Sequence, residues 1–203
     1  MKLLARLAAA ATLLVMAAVP AGAFEPVAVP AAYPERVLGN PDAPITIVEY
    51  SALTCSHCAN FHTTTLPEVK KAFIDTGKAK IVYRDFPIDN LALGAAVIAR
   101  CVPEQSYFPM LDMLFKNQAT WTKAANPLEA LKGYARLAGL NGEQVDACIQ
   151  NKDLVAAVQE VRNEANKSYG ITATPTFVIE GKVLAGAQPY AEFEKVLNGL
   201  AGK

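Results

Sequence analysis

The sequence carries no excess of charge: 19 Lys and Arg stand against 19 Asp and Glu in 203 residues. That balance excludes the basic surface by which proteins neutralise nucleic-acid phosphates or bind an anionic membrane. There are no internal repeats, no low-complexity tracts and no apolar run of the ~20 residues that would span a bilayer as a helix. Histidine is scarce, with His57 and His62 alone, and among four cysteines there is one CxxC and no second. A structural zinc site needs four ligands. Beside Cys55 and Cys58 only His57, His62, Cys101 and Cys148 could supply them, and the last two do not form a ligand pair. No metal and no cofactor are therefore expected.

Hydrophobic residues make up 52% of the chain, enough for one core with an inserted subdomain. The first residues read as a secretory signal: Lys2 and Arg6 are basic, Leu7 to Val19 is an uncharged run, and Ala21-Gly22-Ala23 is a small-x-small cleavage site. No cysteine follows at the cleavage position, which argues against a lipoprotein. Removal of residues 1–23 takes away two basic and no acidic residues and leaves a formal charge of −2. Export matters most for the cysteines, because disulfides persist outside the reducing cytosol.

Five prolines between residues 24 and 44 exclude a helix and predict an extended lead-in. Ile45 to Tyr50 is apolar on both faces and β-branched, as a central strand buried on both sides should be. A helix is expected from the cysteine pair, turning Phe61, Leu66, Val69 and Phe73 inward, kinked at Pro67 and ended by Gly77. Ile81 to Phe86 is a second strand, giving a parallel crossover unit. Helices are then predicted over Leu91 to Cys101, Pro109 to Gln118, Pro127 to Ala138, Gly142 to Gln150 and Asp153 to Tyr169. A hairpin follows, Thr176 to Ile179 and Lys182 to Ala185 about the Glu180-Gly181 turn, and a last helix over Tyr190 to Leu200.

Cys55-Ser56-His57-Cys58 falls where a strand ends and a helix begins, so the Cys55 sulfur faces free backbone N–H groups and the positive end of a helix dipole. That end is worth ~0.3–2 kcal/mol against ~1.36 kcal/mol per pKa unit, so it lowers the thiol by about one unit. His57 is the candidate for the remainder, through a hydrogen bond or charge to Cys55; the alternative is a solvated imidazole. Pro175, at the start of a strand downstream of a CxxC, is expected to be cis and to present the Thr174 backbone to a bound peptide. Glu49 interrupts an apolar strand. It either exchanges a proton with Cys58 or reaches water from the strand end. Cys101 and Cys148, left over once Cys55 and Cys58 are paired, would close a disulfide worth about 4 kcal/mol, two buried thiols being the alternative.

Taken together, RVLGNPDAPITIVEY, CSHC with Phe61-His62 after it, IVYRDFPI, the helical segment and GITATPTFVIEGKVLAGAQP resemble the DsbA-like branch of the thioredoxin superfamily over about Arg36 to Leu200. The resemblance implies an α/β thioredoxin fold with an inserted all-helical subdomain: core residues 45–88 and 170–203, insertion 89–169. It implies that Cys55 is the nucleophile, Cys58 resolves the mixed disulfide, Pro175 is cis, Glu49 is the family's buried acid, and Cys101–Cys148 is the second pair of alphaproteobacterial members. The implied activity is periplasmic disulfide transfer to unfolded exported proteins with free cysteines, with reoxidation by a DsbB-like membrane protein. Ser56, where the best-known oxidases have proline, and Thr174, shared with isomerase-type members, do not fix the direction. An isomerase or reductase is the alternative, and a metal-binding module using the same sulfurs is a third. Residues 24–44 are too short and proline-rich for a dimerisation module, so a monomeric oxidase is expected.

Overall fold

The computed structural model describes residue 24 and residues 26–201; the expected signal segment, residues 1–23, lies outside them. β2 (Ile45–Ser51) and β3 (Ala79–Asp85) form the parallel centre of a five-stranded sheet, with Ile47 opposite Ile81 and Glu49 opposite Tyr83. β4 (Thr176–Ile179) lies antiparallel on the other side of β2, and β5 (Lys182–Ala185) returns beside it through a turn in which Glu180 and Gly181 both have positive φ. Both central positions of such a hairpin turn require that conformation. The opposite edge is β1 (Arg36–Leu38), antiparallel to β3. This strand was not expected from the proline-rich lead-in. It is three residues long, and its pairing partner rather than any local pattern makes it a strand.

Because successive strand residues face opposite sides, β2 divides its side chains between two layers. Ile45 and Ile47 meet Phe61, Leu66, Val69 and Phe73 from the helical run over 56–74. Val48 and Tyr50 lie in the layer shared with α3 (Asn90–Cys101) and α8 (Lys152–Tyr169). The helical run comprises α1 (Ser56–Asn60), a π turn Phe61–Thr65, α2 (Leu66–Val69) and a second π turn Lys70–Ile74. Pro67 has no N–H to give, and the backbone widens just before it: the Leu66 N–H reaches back five residues to the Phe61 carbonyl. α9 (Tyr190–Ala201) covers the same face through Phe193 and Leu197.

Between α3 and α8, α4 (Glu104–Lys116), α5 (Gln118–Thr122), α6 (Pro127–Leu137) and α7 (Gly142–Ile149) enclose Met110, Leu114, Trp121, Leu131 and Val145. This apolar cluster continues to Leu53 and Cys58, so the insertion packs directly on the cysteine loop. α4 starts five residues before the expected Pro109, after Pro103 at its N-cap, and carries Pro109 inside it. Proline preset at a helix entrance explains the misreading: two prolines compete for that role here, and the first one holds it. Cys101 of α3 and Cys148 of α7 are joined in a disulfide. A buried ion pair, Arg100 to Asp85 at 2.7 Å, also holds Tyr33, whose hydroxyl donates to Asp85, and so fastens the lead-in to the sheet.

Candidate active site

Cys55 is the N-cap of α1, in an extended conformation that lets its sulfur accept the Cys58 N–H at 3.4 Å. Across from it the Thr174–Pro175 bond is cis, and the Cys55 thiol donates to the Thr174 carbonyl at 3.3 Å. The pair is in the dithiol form, Cys55 8% exposed and Cys58 fully buried. Two residues of the insertion hold the loop. The Gln118 side chain donates to the carbonyls of Leu53 and Cys55 at 2.8 and 2.9 Å, and the Thr54 hydroxyl donates to Asp89, the N-cap of α3, at 2.7 Å.

The two sulfurs have opposite electrostatics. The Cys55 thiol is pushed down to about 5, first by a hydrogen bond from the Cys58 side chain, then, against the cost of burial, by the Thr174 side chain and the backbone N–H groups of Cys58 and His57. Burial is the first cause that pushes the Cys58 thiol far above the ordinary range, and the neighbouring Cys55 adds to it; the adjacent Ser51 opposes. One sulfur is thus a ready thiolate and the other a retained thiol. His57 contributes through its backbone N–H, while its side chain lies exposed at the helix start. The donors that hold the Cys55 sulfur are Cys58 and the backbone N–H groups of Cys58 and His57, and no hydrogen bond from the His57 imidazole to it is formed among the described residues.

Glu49 does not reach water. It is fully buried, and its Oε1 shares a hydrogen bond with His62 Nε2 at 2.7 Å. The His62 ring stacks on Phe115 of α4, with centroids 4.0 Å apart. The sequence marks His62 as a possible zinc ligand and as part of the Phe61-His62 pair of the resemblance, gives it no role toward Glu49, and does not single out Gln118. The signal for His62 was present: a glutamate in an apolar strand needs a partner, and His62 follows Cys58 by four residues on the same helical face. Among the described residues no group of three or more His, Cys, Asp or Glu is placed to hold a metal ion, and no helix is long and apolar enough to cross a membrane.

A family model described as thioredoxin matches residues 32–199. The crystal structure of Wolbachia pipientis alpha-DsbA1 is 31% identical, with a TM-score of 0.76 over 83% of this chain and 91% of that one. A Rickettsia bellii protein named as a protein-disulfide oxidoreductase is 32% identical over 148 residues, 72% of this chain and 57% of that protein. Disulfide bond formation protein D of Bacillus subtilis is 26% identical over 180 residues, 83% of this chain and 78% of that protein. The chain spans a little over half the length of the Rickettsia relatives it matches.

Proposed function

The chain belongs to the thioredoxin family, in its DsbA-like branch, and from that premise we propose that it is a thiol:disulfide oxidoreductase that transfers the Cys55–Cys58 disulfide to exported proteins. The observation that carries this reading is the asymmetry of the two sulfurs, a thiolate at the helix start beside the Thr174 backbone and a buried thiol behind it. A substrate thiolate attacks Cys55 Sγ. The Cys55–Cys58 bond breaks, and Cys58 leaves with the electron pair and takes a proton. The substrate's second thiolate then attacks its own sulfur in the mixed disulfide. Cys55 departs as a stable thiolate, the substrate is oxidised by two electrons, and the protein is left as a dithiol. A low Cys55 pKa favours that departure.

The remaining site residues take supporting roles in this scheme. Thr174 and Pro175 offer backbone to an extended substrate segment, Glu49 exchanges the Cys58 proton, and His57 holds the Cys55 sulfur through its N–H. The Cys101–Cys148 disulfide is structural. The setting is the periplasm, reached through the signal segment at residues 1–23; the partners are unfolded exported proteins with free cysteines and a DsbB-like reoxidant, and the protein acts as a monomer. Thiol trapping in cells tests the direction. Cys55 and Cys58 found oxidised at steady state support the oxidase; found reduced, they refute it in favour of an isomerase or reductase.

A further inference from the structure

Cys58 gains or loses one proton in each turnover, yet its side chain has no contact with solvent. Two registers lead away from it. On β2, Ser51 and Glu49 are two residues apart and so share a face; on the helical run, Cys58 and His62 are four apart and share another. Ser51 stands beside Cys58, whose thiol it pulls down against the effect of burial, and Glu49 hydrogen-bonds to His62 at 2.7 Å. The facing pairs make two rungs, one at the sulfur and one a turn deeper. Ser51 Oγ, Glu49 Oε2, His62 Nδ1 and Tyr83 Oη are all buried, and none has a hydrogen-bond partner among the described residues. Such a run of half-used polar atoms needs explanation.

Glu49 and His62 both line a cavity of about 710 Å³ that opens between the helical run and α4, with Leu66, Phe108 and Met113 in its walls. It does not include Cys55, Cys58 or Thr174. His62 is set in the π turn, a local widening of the helix often found at functional sites, and stacking on Phe115 holds its ring in place.

We propose that His62 is a positioning residue that orients Glu49 and relays its proton to the solvent of this cavity, so that protons reach Cys58 from behind while substrate occupies the Cys55 side. This rests on the disulfide-transfer reading above. When Cys58 leaves as a thiolate it takes a proton from Glu49 Oε2 across the Ser51 rung. Glu49 is reprotonated by His62 Nε2, and the ring recovers a proton at Nδ1, a buried atom of a residue that lines the cavity, when water from the cavity reaches it; the reverse sequence serves ring closure, in which Cys58 attacks Cys55 and expels a thiolate. An imidazole can accept at one nitrogen while it donates from the other. The titratable and charged groups around this path are Glu49 on β2, the Tyr83 phenol on β3, Asp112 and Lys116 on α4 and Lys70 on the helical run itself.

The test is the rate at which Cys58 closes on a Cys55–glutathione mixed disulfide, sampled by acid quench and mass. His62→Ala should slow closure about tenfold or more, since direct acid–base groups contribute ~10²–10⁴-fold and this one acts at one remove. Millimolar imidazole, small enough for the cavity, should restore most of the loss. His62→Gln keeps a hydrogen bond to Glu49 and cannot relay; it should be slow as well, with the Cys55 thiolate absorbance titrating as in the wild type. Unchanged closure in His62→Gln overturns the relay, as does slow closure in His62→Ala that imidazole leaves untouched. Failure of the wild-type mixed disulfide to close at all would instead refute the proposed function.

Discussion

Lowering the pH from 7 to 4 should remove a stabilisation that the reduced protein has and the disulfide form lacks. The folded Cys55 thiol sits at about 5 against an ordinary 9.0, and the unfolded chain returns it to the ordinary value. A depressed folded pKa contributes stability that is complete above the unfolded value and is lost as pH falls through the folded one. Between about pH 5 and 9 the reduced fold therefore gains ~1.36 kcal/mol per pH unit. At pH 7 two of those units are realised, about 2.7 kcal/mol, and at pH 4 essentially none. For a chain of this size ~1 kcal/mol moves Tm by ~2–4 °C, so lowering the pH from 7 to 4 should shift the gap between reduced and oxidised Tm by about 5–10 °C against the reduced form. The same energy corresponds to ~60 mV of oxidising power. Other groups titrate alike in both forms and largely cancel in the difference. Thermal unfolding of both forms at pH 4, 5, 6 and 7, with thiolate absorbance near 240 nm followed in parallel, measures it. A gap that does not change with pH would refute the thiolate argument, and Cys55→Ser should abolish the change.

Cys58→Ala removes the largest cause lowering the Cys55 pKa and should raise it by about one unit, since a hydrogen bond to a charged group is worth ~1.5–3 kcal/mol and a thiol is a weak donor; the variant should also accumulate substrate mixed disulfides visible on non-reducing gels. His57→Ser leaves the backbone N–H in place, so the Cys55 titration should move by less than about one unit; a larger rise would show that the imidazole acts directly. Replacing both Cys101 and Cys148 with Ala opens a loop between residues 47 apart and should cost about 4 kcal/mol in the chain-entropy estimate. Calorimetry would register the loss, and insulin reduction at 25 °C should continue.

The parts of the fold readable in the sequence are those encoded locally. The hairpin at 176–185 was legible because two short apolar segments flank the two-residue Glu180-Gly181 turn, and α8 because its apolar face ends at Gly170, whose φ of 67° suits the glycine there. β1 was not legible, since three residues become a strand only by pairing with β3. α5 was missed because five residues carry too short a period. The CxxC and Thr174-Pro175 announced themselves by composition, and their juxtaposition required only the strand order. His62 and Gln118 stayed hidden because their importance lies in what they touch: Glu49, 13 residues away, and the loop carbonyls more than 60 residues away. The source of the Cys55 thiolate's stabilisation was similarly out of reach, as it depends on which donors point at the sulfur.

The contact between Cys55 and Thr174 joins residues 119 apart in the chain, and it forms only after β4 has slid in beside β2. Loop closure over such a span comes late, because its entropy is lost before the contact returns anything. The disulfide partners, by contrast, both lie within the insertion and need no strand from the far end. A chain emerging from the ribosome in order therefore possesses its reactive motif long before it possesses the strand that completes the site. The order of synthesis withholds the Thr174 contact from Cys55 until the last quarter of the protein is in place.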